Sequence, residues 1–196
     1  MKYNNIVLVC LVSLCTALWP GITSLTVPEA IDEPTDVPLQ DLSFFESPSK
    51  SWSVASDVYV NLNESDALNA SQGNGILVNR TSKKDLGSDL FSKISHGDLA
   101  LELDFLLPVN GNSGIYLQGR YEVQLADSWY TTQPTSASNG GIYNLSPPRT
   151  NASKAPGLWQ RLKVVFKAPR FNSSGQKVEK TSWWQPAIGE LPDRIP

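Results

Sequence analysis

Hydrophobic and polar residues alternate with a period of two along three stretches of the chain. The apolar positions are Leu99, Leu101, Leu103, Phe105 and Leu107 in the first stretch, Ile115, Leu117, Tyr121, Val123 and Leu125 in the second, and Leu162, Val164 and Phe166 in the third. The intervening positions are mostly polar, so each stretch has one apolar and one largely polar face. This pattern predicts β-strands that cover a core on one side.

Turn sequences rich in glycine separate these runs. They are Gly73-Asn74-Gly75, Asn110-Gly111, Asn139-Gly140-Gly141 and Ser173-Ser174-Gly175. Residues 83–93 offer a short helical pattern, which Gly87 weakens. Many short strands joined by frequent turns predict an all-β sandwich or barrel.

The N-terminal residues follow a different pattern. Lys2 precedes an apolar run at residues 6–19, and Pro20-Gly21 interrupts it. A positive start and an apolar run shorter than the roughly 20 residues of a membrane span are typical of a secretory signal peptide. We expect a signal peptide at 1–24 and a proline-containing linker at 25–38. The protein is then exported to the periplasm, the cell envelope or the extracellular space, with no stable membrane span after cleavage.

The amino-acid composition limits the partners and metal sites that the protein can have. The 196 residues carry 16 Lys and Arg against 19 Asp and Glu, a net charge of −3, with no basic block. This argues against a nucleic-acid partner. The sequence has one histidine, His96, and its two cysteines, Cys10 and Cys15, lie in the leader. A histidine-rich zinc site is therefore excluded, and a divalent cation would have mainly oxygen ligands, which favours Ca²⁺ or Mg²⁺.

The candidate functional residues lie on the polar face of residues 112–130. If the apolar positions face the core, the opposite face carries Tyr116, Gln118, Arg120, Glu122 and Gln124. Amides and arginine donate hydrogen bonds to hydroxyl groups, and a carboxylate accepts them or acts as a base, so this face suits a polyhydroxyl ligand. Trp129 and Tyr130 follow as aromatic rings that can stack on a sugar.

Two features of this region have simpler explanations. Arg120 and Glu122 can form an exposed ion pair, which contributes only about 0–1 kcal/mol. His96 precedes Gly97 and can be a turn residue instead of a general base.

Several ordered motifs give the chain a family resemblance. They are GNGILVN at 73–79, HGDLALELDF at 96–105, NSGIYLQGRYEVQLADSW at 112–129, GGIY at 140–143 and NASKAPGLWQRLKVVFKAPRF at 151–171. Together they resemble the bacterial 3-keto-disaccharide hydrolase family, also described as 3-keto-glycoside 1,2-lyase and hydratase. The resemblance covers residues 39–180, which we predict to be the domain. It implies a concanavalin-A-like jelly-roll sandwich of two antiparallel sheets, and a hydrolase for sugars oxidised to a ketone at carbon 3.

The implied chemistry assigns roles to the candidate residues. A base removes the acidified hydrogen on C2, the anomeric group leaves by elimination, and water adds back. Glu122 is the first candidate for the base or a metal ligand, and Asp127 is the second carboxylate. Arg120 or a divalent cation would stabilise the enolate. Substrate binding would fall to Asn112, Ser113, Tyr116, Gln118, Gln124 and Trp129.

The resemblance ends after residue 180. Residues 181–196 show no alternation and do not look like the family, so we expect an aberrant tail in place of the strands that close the sandwich. Missing strands would expose sheet edges and apolar faces. Two alternatives to an active enzyme therefore stay open, namely a non-catalytic carbohydrate-binding module and an inactive, truncated remnant of the enzyme.

Overall fold

The computed structural model describes residues 11–13, 36–82, 84 and 86–189, with backbone alone at 11–13 and 183–189. These residues form strands and no helix. The strands are β1 (Leu11–Ser13), β2 (Phe45–Glu46), β3 (Trp52–Tyr59), β4 (Asn69–Asn79), β5 (Phe91–Ser92), β6 (Leu99–Phe105), β7 (Asn112–Leu117), β8 (Tyr121–Ala126), β9 (Gln160–Lys167), β10 (Arg170–Phe171), β11 (Lys177–Glu179) and β12 (Ser182–Gly189). The predicted all-β class is confirmed, whereas the helical pattern at 83–93 forms no helix where it is described.

All strand pairs are antiparallel. One four-stranded sheet has the order β1-β6-β9-β12, and β2-β5, β3-β4, β7-β8 and β10-β11 form two-stranded sheets. Apolar side chains of β6 and β9 pack against those of the β7–β8 hairpin in one core. The fold is thus an antiparallel β-sandwich, as predicted.

The main core contains the side chains that the alternation pattern places inside. Phe105 and Phe166 are fully buried, and the Phe166 ring meets the Tyr121 ring with centroids 6.0 Å apart. Val165, the neighbour of Phe166 on β9, points the other way and stays 43% exposed. Alternation along β9 therefore holds residue by residue.

The second face of β6 is also covered, which the alternation pattern does not predict. Asp104 is buried and accepts two hydrogen bonds from Arg161, at 2.7 and 3.0 Å. Glu102 bridges Arg161 and Lys163, at 3.0 Å each. Leu106 enters a second apolar cluster with residues of β3 and β4.

Three of the four predicted turns are present, and the fourth is wrong. Gly73-Asn74-Gly75 lies inside β4, where the pairing with β3 shifts register between Ala55 and Asp57. A side chain at Gly73 would collide with Ser56, and Gly73 has φ +148°. Glycine here serves a bulge and a close approach of two strands, not a reversal of the chain.

The predicted tail is also different in the structure. Residues 182–189 form β12, which pairs with β9, so the expectation that no strand follows residue 180 is wrong. The register shifts between Trp184 and Ala187, around Pro186. Proline has no amide hydrogen and is tolerated at a bulge, and edge pairing uses main-chain groups whatever the side-chain pattern.

Most of the predicted leader and linker lies outside the described residues. The three residues of β1 pair with Glu102–Asp104 of β6. Val37, near the end of the predicted linker, packs against the main core. In the described part of the chain, no helix has the length and apolar character needed to cross a membrane.

Candidate functional site

The β7–β8 hairpin carries most of the predicted polar face. Tyr116 lies opposite Glu122, Gly114 opposite Gln124, and Asn112 opposite Ala126. Because side chains alternate along a strand, Asn112, Gly114, Tyr116, Glu122 and Gln124 share one side of the hairpin. We call these five residues the Glu122 face.

Two predicted members of this face lie elsewhere. The chain reverses at Gln118 and Gly119, which have φ of 53° and 62°, and the amide of Arg120 donates to the carbonyl of Leu117 at 3.2 Å. Positive φ at two successive residues makes a tight hairpin turn, so Gln118 and Arg120 belong to the turn. The predicted Arg120–Glu122 ion pair is absent among the described residues.

Glu122 is half-buried and held from two sides. The Tyr116 hydroxyl donates a hydrogen bond to Glu122 Oε2 at 3.0 Å. Gly114 leaves room for the carboxylate, because a Cβ there would lie 2.7 Å from Glu122 Cγ and 2.8 Å from Cδ. The Oε1 atom lies over Gly114 and accepts no hydrogen bond from any described residue.

The surroundings of Glu122 favour proton transfer. Burial raises its pKa, the Tyr116 hydrogen bond lowers it, and the charge of Asp89 raises it again, with a net increase. Burial, the Glu122 hydrogen bond and the charges of Glu122, Asp89 and Tyr143 raise the pKa of Tyr116 to about 12. At neutral pH Tyr116 therefore keeps its proton, and Glu122 is a stronger base than an exposed glutamate.

A second segment lies along β8 on the side away from β7. Gly140 and Gly141 exchange backbone hydrogen bonds with Gln124, each 2.8 Å long, and the amide of Tyr143 donates to the carbonyl of Glu122 at 2.9 Å. This pairing places Tyr143 beside Glu122 along the backbone, and Tyr143 acts electrostatically on Tyr116. The segment is the GGIY motif of the sequence.

Three neighbours of Glu122 are missing from the residues predicted as the site. Gly114 and Tyr143 lie within the motifs NSGIYLQGRYEVQLADSW and GGIY. A glycine among the polar positions of a strand indicates that another group approaches the backbone closely, so Gly114 could have been predicted from the sequence. Asp89 comes from an irregular segment before β5, and nothing in its local pattern points to Glu122. Trp52 Nε1 fixes that segment by donating to the carbonyl of Ser88 at 2.8 Å.

Gln124 and Asn112 continue the Glu122 face. Gln124 is buried, and its Nε2 donates to Asn112 Oδ1 at 2.8 Å. This bond fixes the orientation of the exposed Asn112 amide, whose own Nδ2 can donate to a ligand.

The structure separates two other predicted site residues, Ser113 and Asp127, from the Glu122 face. Ser113 is buried opposite Leu125 on the core side, so it cannot share a ligand with Asn112. Both oxygens of Asp127 accept loop amides, from Asn110 at 3.0 Å and Trp129 at 3.3 Å. The four steps from Glu122 to Ala126 lie in the extended β8 and span about 13 Å at ~3.3 Å per residue, and Asp127 follows beyond them, so the two carboxylates do not form a close pair.

Trp129 follows Asp127 in the same loop. It is 44% exposed, and its ring meets that of Tyr130 edge to face, with centroids 6.2 Å apart. The pair is accessible to a ligand at this end of the hairpin.

The described residues contain no group of three or more His, Cys, Asp or Glu side chains that could hold a metal ion. Glu122 and Asp89 supply two carboxylates, fewer than such a group needs. The Ca²⁺ or Mg²⁺ prediction stays a prediction. His96 contacts the buried Phe166 ring, with centroids 5.7 Å apart, and its Nδ1 lies 2.9 Å from the carbonyl of Gly97.

Comparisons with known proteins address the predicted family. The profile of the 3-keto-alpha-glucoside-1,2-lyase-like domain matches residues 42–191, past the end predicted for the domain. A crystal structure from Parabacteroides distasonis, described as a candidate glycosyl hydrolase, is similar with a TM-score of 0.50 and 22% identity. The alignment covers 86% of this chain and 71% of that one, and at this identity it concerns the fold alone. No curated protein matches. The profile match shows that the chain belongs to the 3-keto-alpha-glucoside-1,2-lyase-like domain family.

Proposed function

We propose that this protein is an exported enzyme that cleaves 3-keto-glycosides, with Glu122 as the general base. One observation carries the proposal. A half-buried carboxylate with a raised pKa lies at the centre of a polar sheet face, and it forms no ion pair with a described residue. Family membership supports the substrate class, and the leader supports export.

The chemistry follows from the ketone. A carbonyl at C3 acidifies the hydrogen on C2, so Glu122 Oε1 can remove it as a proton. The resulting enolate re-forms the carbonyl as the bond from C1 to the glycosidic oxygen breaks, and the leaving oxygen takes a proton from water. The hydroxide left by that water adds to C1. Protonated Glu122, after exchanging its proton with solvent, returns a proton to C2, so the base is regenerated and the net reaction is hydrolysis.

Asn112 and Gln124 of the Glu122 face, together with Trp129 in the loop after β8, bind and orient the sugar. The Asn112 amide, fixed by Gln124, donates to a hydroxyl, and Trp129 stacks on a more distant part of the ligand. Positioning of this kind contributes strongly to rate, because a misplacement of about 1 Å can reduce it ~100-fold.

Sugar release from a 3-keto disaccharide tests the proposal. We expect the purified protein to release both sugars from the 3-keto disaccharide and neither from the unoxidised parent. Binding of unoxidised glycans without turnover of the ketone would select the carbohydrate-binding module. Absence of a cooperative thermal transition would select the inactive remnant.

The raised pKa of Glu122 predicts the pH dependence of kcat/KM. The base must be ionised, so kcat/KM falls as pH decreases through the pKa of Glu122 in the free enzyme. The midpoint of this acid limb of the pH profile lies above the usual glutamate value of 4.5. Asp89→Asn removes a charge that raises this pKa and is expected to move the limb to lower pH. Asp57→Asn, on an exposed position of β3, is the matched control and leaves the limb in place. An unmoved limb in Asp89→Asn would contradict this electrostatic account.

Gly114→Ala is expected to reduce activity with little effect on folding. The new methyl group would meet the Glu122 side chain, which must turn away from its position. Activity should fall by about 100-fold, the typical effect of a 1 Å misplacement. Gly97→Ala is the control, because a Cβ at Gly97 meets nothing within 4 Å. Full activity in Gly114→Ala would show that the observed Glu122 position is not the productive one.

A further inference from the structure

We propose that Tyr116 is a catalytic residue, whose hydroxyl donates a hydrogen bond to the enolate oxygen on C3. The inference rests on the proposed function, since it requires a 3-keto substrate with its C2 next to Glu122. It assigns to Tyr116 a chemical role beyond recognition of the sugar.

The two carboxylate oxygens of Glu122 have different environments. Oε2 accepts the Tyr116 hydroxyl at 3.0 Å, whereas Oε1 lies over Gly114. A substrate approaching Oε1 with its C2 hydrogen also approaches the Tyr116 hydroxyl, because Tyr116 and Glu122 are directly opposite in the hairpin. C3 is bonded to C2, so its oxygen lies on the neighbouring atom of the ring.

The hydrogen bond of Tyr116 can follow the negative charge during the reaction. Before proton transfer the charge is on Glu122, and the hydroxyl donates to it. The C2–H bond then breaks, its proton binds Oε1, and its electron pair forms the C2–C3 double bond while the C3 carbonyl becomes an oxyanion. A neutral carboxylic acid is a weaker acceptor than an oxyanion, so the Tyr116 hydroxyl turns to the C3 oxygen.

The proton of Tyr116 is available for this role throughout. With a pKa of about 12, the phenol stays protonated at neutral pH. Among the described residues, the titratable groups that act on the Tyr116–Glu122 pair are Asp89, from the segment before β5, and Tyr143, from the segment beside β8. Asp89 is a carboxylate and would repel an enolate. Tyr116 is the donor that the structure shows hydrogen-bonded to the base, at 3.0 Å from Glu122 Oε2.

Tyr116→Phe tests the inference through exchange of the C2 hydrogen. In deuterated buffer, at a pH where Glu122 is ionised in both proteins, we expect C2 exchange and glycoside cleavage to fall together, by about 10²–10³-fold, the typical effect of losing one oxyanion donor. The loss should be equal for p-nitrophenyl and alkyl leaving groups, because it precedes C1–O cleavage. Affinity for the unoxidised parent glycoside, measured by calorimetry, should be unchanged.

Tyr121→Phe is the matched control. It removes a phenol from the opposite side of the same hairpin and should keep wild-type exchange. Tyr116 is 51% exposed, so Tyr116→Phe should unfold at the wild-type temperature.

Three results would overturn the role of Tyr116. Unchanged C2 hydrogen exchange in Tyr116→Phe would show that the hydroxyl does not donate to the enolate. A loss of cleavage confined to alkyl leaving groups would show that the hydroxyl acts on the leaving oxygen. If affinity for the parent glycoside fell by the same factor as the rate, the hydroxyl would act in binding alone. If the wild-type protein neither exchanges C2 hydrogen nor cleaves the substrate, the proposed function itself fails.

Discussion

Glu122→Gln is expected to reduce cleavage of 3-keto-glycosides by about 10²–10⁴-fold, the contribution typical of a general base. Glutamine has the shape of glutamate and can still accept the Tyr116 hydroxyl, but it cannot take a proton from C2. The variant should be as stable as the wild type, because a neutral amide avoids the burial cost that raises the pKa of Glu122. Initial rates of sugar release and a thermal unfolding curve measure the two effects.

The control for this variant is Glu179→Gln. Glu179 lies in the exposed β11 and has no described contact with the Glu122 face. Its replacement should leave the rate unchanged. Equal rates for Glu122→Gln and wild type would remove Glu122 from the mechanism, whatever the substrate.

Phe166→Ala is expected to have the largest effect on stability. The ring is fully buried between the sheets and contacts His96 and Tyr121. Truncation of a buried phenylalanine typically costs about 3–5 kcal/mol, through lost apolar burial and the cavity left behind. Small domains have a free energy of unfolding of about 5–15 kcal/mol, so the variant should unfold at a much lower denaturant concentration.

Val165→Ala is the control on the same strand. Val165 precedes Phe166 and is partly exposed on the other face of β9, so its truncation should cost under about 1 kcal/mol. Urea unfolding followed by tryptophan fluorescence measures both variants. A change below about 1 kcal/mol in Phe166→Ala would contradict the position of Phe166 in the core.

Alternation along the chain predicts the main core well because it depends only on strand geometry. Once β6 and β9 are strands, Phe105 and Phe166 must face the same side as their alternating neighbours. The same rule places Asn112 and Tyr116 on one side of β7, and the pairing of β7 with β8 brings Glu122 to that side. The core prediction needs no knowledge of which strands pair, whereas the site prediction does.

Sequence-based predictions of burial and of site membership fail where a segment distant in sequence determines the surroundings of a side chain. Asp104 reads as a solvent-facing position, but Arg161 from the neighbouring strand covers it. Gln118 and Arg120 fit the alternation and still lie in the turn, since the reversal depends on two positive φ values. Asp89 reaches Glu122 through tertiary packing, which no local pattern reveals.

The end of the chain illustrates a different limit. Residues 182–189 have no alternation, yet they pair with β9 through main-chain hydrogen bonds. Backbone pairing at a sheet edge is compatible with almost any side-chain pattern, and a bulge accommodates the proline. Sequence patterns report side-chain burial, so they miss strands of this kind.

Loss of a deuterium label from C2 tests the central claim most directly. A 3-keto disaccharide labelled with deuterium at C2 is incubated in ordinary water, and the released sugar is analysed by mass spectrometry, with free labelled 3-keto sugar as the control for spontaneous exchange. Elimination through Glu122 predicts that the released sugar has lost its label, and that Glu122→Gln neither releases sugar nor removes label from the substrate. Cleavage that retains the label at C2 and runs as fast as with the unlabelled disaccharide, under conditions where the free sugar keeps its label, would contradict proton abstraction by Glu122.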